Sequence, residues 1–227
     1  METIAYDFNH KLWDSLKNPN FSTYYNFLVE KNKVMNLTNI TEENEVYKKH
    51  FYDSIFLSEV FDLKNKSILD IGAGAGFPSI PLKILCNTLD VTIIDGLNKR
   101  INFLKELSEK INIEKITLIH GRAEEMSKDR LFDFVTARAV ARLNILAELA
   151  LPYVKKDGYF VAYKSANYQT ELDEAKNAIN QLGAILERII EYDIETDLTH
   201  VLLVFKKIKN TPSIYPRQFA KIKKQPL

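Results

Sequence analysis

The stretch Ile68-Leu69-Asp70-Ile71-Gly72-Ala73-Gly74-Ala75-Gly76-Phe77-Pro78 passes from an apolar run into three alternating glycines and a proline. A short apolar run closed by glycine reads as a buried strand, and Pro78 suits the first turn of a helix. The segment is therefore expected to be strand, tight turn and helix, the form of a ligand-binding turn in a first βα unit. Glycine is required there where the chain turns with positive φ and where a ligand approaches the backbone more closely than a Cβ permits. A dinucleotide-binding turn would put its third glycine at the position of Phe77, and here it stands at Gly76. The triphosphate-binding pattern of Lys followed by Ser or Thr is missing as well.

Outward from this turn, short apolar runs at 67–71, 91–94, 116–119, 132–135, 159–163 and 200–205 alternate with segments of helical period such as 99–111 and 167–182. Strands alternating with helices predict a mostly parallel sheet covered on both faces. The second strand ends in Asp95, 23 positions after Gly72, where a carboxylate can accept hydrogen bonds from two ribose hydroxyls. The third strand runs out at His120-Gly121-Arg122-Ala123-Glu124, and the fourth continues into Ala137-Arg138-Ala139. Arg138 at the carboxyl end of a parallel strand lies where such sheets bind ligands, and Lys164 occupies a comparable rim position. Upstream, apolar residues near helical spacing at 21–34 and 42–61 predict an all-helical region, with Thr41 at a helix start. The expected organisation is a helical region at 1–63, a core at 64–207 and a basic arm at 208–227.

Composition narrows the class. The 227 residues are 46% hydrophobic and 27% charged, the proportions of a folded globular protein. Cys86 is the single cysteine, which excludes a disulfide framework and a clustered-cysteine zinc site and suggests a reducing compartment. His10, His50, His120 and His200 lack metal-ligand spacing, so no metal is expected. Without a basic segment followed by an apolar run at the start, or a long uncharged span, the expectation is a cytosolic protein. The net charge is +1, but seven of the 31 basic residues lie from Lys206 onward without an acidic one, leaving 24 against 30 before them. Such a tail reads either as a solvated terminus or as an arm that neutralises phosphates, and charge alone favours the former. His50, Asp53 and Ser54 share one face of the expected helix, yet one helix rarely gives a hydrolytic triad its geometry, and no nucleophile elbow is present. Packing against the cleft and contact with a substrate both remain open for that face. Trp13 is expected to pack in the core.

Asp70 two places before Gly72, Gly74 and Gly76 resembles the first motif of class I S-adenosylmethionine methyltransferases, whose adenine contacts fall at the position of Ala123 and Glu124. Methyl transfer from a sulfonium needs alignment and water exclusion more than covalent help. Cys86 follows the glycine turn rather than standing in a catalytic loop, which disfavours pyrimidine C5 methylation. The segment after strand four lacks the Asn/Asp-Pro-Pro-aromatic loop of exocyclic-amine methylation. A ring nitrogen, which offers a free lone pair, is the acceptor the residues permit best.

The match extends further. Asp70 to Leu82, Asp95 with Lys99-Arg100 and Phe103-Leu104, Gly121 to Glu125, Thr136 to Ala139, Asn36-Leu37-Thr38, His50 to Ser54, Tyr215-Pro216-Arg217 and Lys223 to Leu227 together resemble the RsmG family, formerly glucose-inhibited division protein B. The resemblance implies the class I fold, a doubly wound, mostly parallel seven-stranded sheet with its last strand antiparallel and an N-terminal helical extension. It also implies S-adenosylmethionine as cofactor and methylation of N7 of a guanine in 16S ribosomal RNA, the family's guanine 527. The partner is then that RNA or a small-subunit assembly particle, met by a monomer. Its cofactor contacts map onto Gly72, Phe77, Ala123, Glu124 and Arg138, beside Gly74, Gly76 and Asp95 from the residue reading. Candidate substrate contacts are Asn36, His50, Asp53, Arg122, Lys164, Arg217, Lys223 and Lys224. A methyltransferase of a small molecule or protein, and a non-catalytic RNA-binding module, are the alternatives.

Overall fold

The computed structural model of the protein describes residues 2–195 and 198–227. In chain order it comprises β1 (Glu2–Tyr6), α1 (His10–Asp14), α2 (Pro19–Met35), α3 (Glu43–Val46), a π-helical turn (Tyr47–Tyr52), α4 (Asp53–Ile55) and α5 (Leu57–Val60). The core follows with β2 (Ser67–Ile71), α6 (Ser79–Leu85), β3 (Asp90–Asp95), α7 (Asn98–Lys110), β4 (Ile116–His120) and β5 (Phe132–Arg138). It is completed by α8 (Leu143–Ala150), β6 (Val154–Ser165), α9 (Gln169–Gln181), β7 (Ala184–Glu195), β8 (Leu198–Lys207) and α10 (Phe219–Lys224).

The strands form one sheet in the order β1-β7-β8-β6-β5-β2-β3-β4. Among the described residues only β8 runs antiparallel to its neighbours β6 and β7, as expected for the last strand. β2 is buried along Ile68, Leu69, Asp70 and Ile71 because helices cover both faces of the sheet, which is why its sequence is continuously apolar around one carboxylate. β2 pairs with β3 on one side and β5 on the other. The chain winds outward in opposite directions from that pair, so the crevice at the carboxyl ends of β2 and β5 is the topological switch point.

One strand departs from the expected seven-stranded plan, and one of the seven is not among the apolar runs. β1 adds an eighth strand, parallel to β7, within the stretch expected to be all-helical. Its residues are largely solvent-facing at an edge, so they carry little of the apolar periodicity that marks a strand. β7 also escapes a reading by apolar runs, because Glu187, Arg188, Glu191 and Asp193 interrupt it.

The N-terminal helices cover one face. Asn18 caps α2 with Pro19 at its first position, and α2 turns Phe21, Tyr24, Phe27 and Leu28 inward. α3 is capped by Glu42, whose carboxylate accepts the Asn44 and Glu45 N–H groups, rather than by Thr41. These helices share one hydrophobic cluster with Phe77, Ile80 and the inner face of α7. The opposite face carries α8, α9 and the final residues. There Tyr215 and Ile222 are buried, which corrects the expectation of a solvated C-terminal tail.

Candidate active site

At the switch point the three glycines all take positive φ: 67° at Gly72, 60° at Gly74 and 104° at Gly76. Their surroundings differ. A Cβ on Gly72 would meet Val140 at 2.9 Å and one on Gly76 would meet Ile80 and Leu104 below 3 Å, whereas Gly74 faces open space. Packing thus demands the outer two, whereas the middle one has open space in front of its backbone. The turn is tied down by a Gly72 N–H to Ile94 O bond of 2.8 Å, by the Tyr24 hydroxyl donating to Ala75 O, and by Asp95, which accepts the Gly74 N–H at 3.1 Å.

The cleft beside this turn encloses about 370 Å³ and is lined by Gly72, Asp95, Gly96, Leu97, Gly121, Ala123, Glu124 and Val140, among others. Asp95 is nearly buried and also accepts the Leu97 N–H at 2.9 Å and Arg100 Nη1 at 3.3 Å. Tyr153 fixes the loop after β4 by donating to Ala123 O and lying 3.1 Å from Met126 O. Among the described residues, Asp70, fully buried beneath the turn, accepts only the Ser79 N–H at 3.2 Å, and its Oδ1 has no partner. Burial therefore pushes the Asp70 carboxyl up to about 7, against the hydrogen bonding at Ser79 and the Arg138 charge.

A second cleft of about 420 Å³ opens on the other side of Ala139, lined by Ile40, Lys49, His50, Asp53, Arg138, Tyr163, Lys164 and His200. Ala139 lines both clefts and holds φ at 55°, a strained value for a residue with a Cβ. Asp53 organises this wall. One of its oxygens accepts Arg138 Nη1 at 2.7 Å, and the other accepts the Tyr192 hydroxyl at 2.6 Å and His200 Nδ1 at 2.7 Å. Burial alone would raise its pKa. The His200 and Tyr192 hydrogen bonds and the Arg138 charge outweigh burial and bring it to about 2.

Arg138 also donates to Lys49 O at 3.1 Å, approaches His50 Nδ1 at 3.2 Å and lies 4.8 Å over the Phe77 ring. His50 Nδ1 also lies 3.1 Å from the Lys49 carbonyl, and its Nε2 is hydrogen-bonded with Thr38 Oγ1 at 2.8 Å. Burial and the Arg138 charge lower the His50 pKa to about 4, so the ring is neutral at pH 7 and stacks on Phe77 with centroids 4.7 Å apart. The π-helical turn places the Lys49 carbonyl and the His50 ring side by side towards Arg138.

The expected residues sort between these clefts. Gly72, Asp95, Ala123, Glu124 and Arg122 line the first, Gly74 and Gly76 shape its turn, and Phe77 lies beneath Arg138. Arg138, expected at the cofactor, lines the second cleft with His50, Asp53 and Lys164. Lys164 is paired with Glu171 at 2.6 Å and donates to Ala141 O at 3.3 Å. Asn36 caps α2 in the left-handed region and is not among the lining residues of either cleft. Arg217, expected at RNA, is engaged by Glu148, whereas Lys223 and Lys224 are exposed. Sequence reasoning missed Thr38, Tyr192 and His200 as members of the Asp53 network. Their signal was faint, since only pairing of β7 with β8 brings residues 139 and 147 positions away onto Asp53.

The family model described as GidB, rRNA small subunit methyltransferase G, matches residues 17–199. The chain belongs to that family. A ribosomal RNA small subunit methyltransferase G of Streptococcus sanguinis is 50% identical over 213 residues, 91% of this chain and 90% of the relative. One of Lactococcus lactis subsp. cremoris is 49% identical over 228 residues, 97% and 95% of the two chains. Among solved structures, a ribosomal protein L11 methylase from Lactobacillus delbrueckii subsp. bulgaricus superposes with a TM-score of 0.55 at 17% identity, covering 71% of this chain and 79% of that one. Trm5b from Pyrococcus abyssi gives 0.56 at 15% identity over 73% of this chain, which spans about half (49%) of Trm5b. This member of the methyltransferase G family therefore has the class I methyltransferase fold, with β1 added at its edge.

Proposed function

We propose that the protein transfers a methyl group from S-adenosylmethionine to N7 of a guanine in 16S ribosomal RNA, the family's guanine 527. The observation that carries the reading is the meeting of two clefts at Ala139, one edged by a bare glycine turn and a carboxylate, the other walled by an aromatic and cationic cluster. The first fits an adenosine-type donor on this chain's own chemistry. Gly74 leaves room where a side chain would intrude, the Asp70 Oδ1 lies orphaned under the turn, and Asp95 stands at the neighbouring strand end. A carboxylate offers about four lone-pair directions, of which the Gly74 and Leu97 N–H groups and Arg100 take three. One direction remains for a sugar hydroxyl, and displacing the 3.3 Å Arg100 contact frees another.

When bound, such a donor supplies an already activated methyl group. The chain must then orient a lone pair and exclude water. N7 of guanine is unprotonated, so no general base is needed; within the second cleft His50 is engaged by Arg138, and Asp53 by three donors. What the cleft offers is a rigid wall, held by the Asp53 network, against which a base can be positioned. Phosphate contacts are assigned to Arg122, exposed beside the first cleft, and to Lys221, Lys223 and Lys224 on α10. The substrate is 16S RNA, free or within an assembling small subunit, in accord with the names of the relatives.

The test is to incubate the protein with labelled S-adenosylmethionine and unmodified 16S RNA or small subunits, then cleave the RNA by borohydride reduction and aniline, which breaks the strand at 7-methylguanine. Label at a single cleavage site is expected. Label that resists this cleavage would assign another atom, and label only on protein or small molecules would remove RNA as substrate.

A further inference from the structure

The C-terminal segment is not absorbed by the reading above except through its exposed lysines, yet most of its specific contacts face inward. Glu148 on α8 is fully buried, and its bonding comes from Arg217: Nε and the backbone N–H reach Oε1 at 2.8 and 2.9 Å, and Nη2 reaches Oε2 at 2.6 Å. The same Nη2 donates to Gln225 O at 3.0 Å, closing the segment on itself. A buried carboxylate satisfied by one bidentate arginine makes a strong, direction-fixing clamp, because either partner alone would be left as a desolvated charge. Just beyond the clamp, α10 is two-sided. Ile222 is buried and Phe219 half-buried, while Lys221, Lys223 and Lys224 face solvent. The clamp delivers the Phe219 ring to the wall of the first cleft, which Ala123 and Glu124 also line, with the Arg122 guanidinium 5.6 Å from the ring centroid.

We propose that the C-terminal segment is part of the donor site: Phe219 forms the aromatic wall for the base of the bound nucleoside, and the Glu148–Arg217 clamp positions it. The proposal rests on the reading of this cleft as a site for an adenosine-type donor. An aromatic face against a purine is sequence-independent in chemistry and commonly strong, so removing it should be visible in affinity. The basic outer face of α10 then lies over a segment whose inner face binds donor, which would bring RNA contact and donor contact onto one short helix.

The experiment is equilibrium dialysis of labelled S-adenosylhomocysteine against the full chain and two variants, Phe219→Ala and Phe219→Trp, with RNA retention on filters measured in parallel. Expected is roughly tenfold or greater weakening of nucleoside binding in Phe219→Ala, recovery in Phe219→Trp, a cooperative ligand-free melting transition in both variants, and RNA retention within about twofold of the native protein. Glu148→Gln, which releases the clamp without touching the cleft, should weaken the nucleoside in the same direction and leave kcat at saturating donor nearly unchanged. Equal affinity in the native protein and Phe219→Ala overturns the inference while leaving the donor site intact. Loss of RNA retention with unchanged nucleoside affinity overturns it in favour of an RNA-facing arm. Absence of nucleoside binding by the native protein removes the donor reading and this inference together.

Discussion

Asp70 and Asp53 are both buried carboxylates, one beneath the glycine turn of the first cleft and one on the wall of the second, and their environments move them in opposite directions from the ordinary carboxylate range. Asp70, under the glycine turn, has one oxygen without a donor, and burial lifts it to about 7. Asp53, in the second cleft, receives Arg138, Tyr192 and His200 and is held at about 2. Burial is common to both, so the partners decide the outcome. The first region is a locally encoded turn that keeps an unsatisfied group in reserve, as ligand sites do. The second is a satisfied network that joins the π-helical turn, β5, β7 and β8 into one wall.

The largest effect that would sharpen this contrast comes from Asp53→Ala, which leaves a buried guanidinium and two polar side chains without their common acceptor. A loss of about 3–5 kcal/mol in denaturant unfolding at pH 7 is expected, and a loss below about 1 kcal/mol would show that Asp53 does not hold the wall together. The pH dependence of Asp53 has a definite sign. Its folded pKa lies below the ordinary 3.8, so its contribution is complete above pH 4 and is lost as pH falls towards 2.

Asp70 runs the other way. Its folded pKa lies above 3.8, so its contribution is complete below that pH and is lost as pH rises through about 7. Asp70→Asn is therefore expected to stabilise the ligand-free protein at pH 8, on the order of 3 kcal/mol, with the difference vanishing near pH 4. Melting curves across that range measure it, and a pH-independent difference would contradict the assignment of Asp70 as a buried, unsatisfied acid. Smaller still, Tyr192→Phe removes one of three donors to Asp53 and should cost about 1 kcal/mol by the same unfolding measurement. Thr38→Val removes the partner of His50 Nε2 and should cost about 0.5–1 kcal/mol. A zero effect in both would mean that Arg138 and His200 suffice.

The same contrast explains what was legible in the sequence. The glycine turn, Asp95 and Ala123–Glu124 stand at the ends of successive strands, each announced by its own apolar run, so the first cleft could be read from local pattern. Arg138 stands at the expected strand end and lines the second cleft, with its direction set by Asp53 on a separate helical turn, which strand pattern alone does not reveal. The roles of Tyr192 and His200 left only a faint signal, because the pairing that places them involves β7, whose charged residues hide its period. The tail's charge suggested a solvated terminus, whereas a single buried glutamate on α8, itself unremarkable in sequence, decides where Arg217 goes. Edge strand β1 left no trace because an exposed edge needs no apolar alternation.

In the proposed function, the turn around Gly74 and the carboxylate of Asp95 hold a sulfonium nucleoside between them. Isothermal titration of S-adenosylmethionine into the native protein, Gly74→Asp and Asp95→Ala tests it most directly. The account predicts one saturable site in the native protein, no detectable heat from Gly74→Asp, whose side chain would fill the open space at that position, and binding at least tenfold weaker in Asp95→Ala, on the scale of a lost charge-assisted hydrogen bond. Binding of equal strength in all three proteins, or none in the native one, would contradict it.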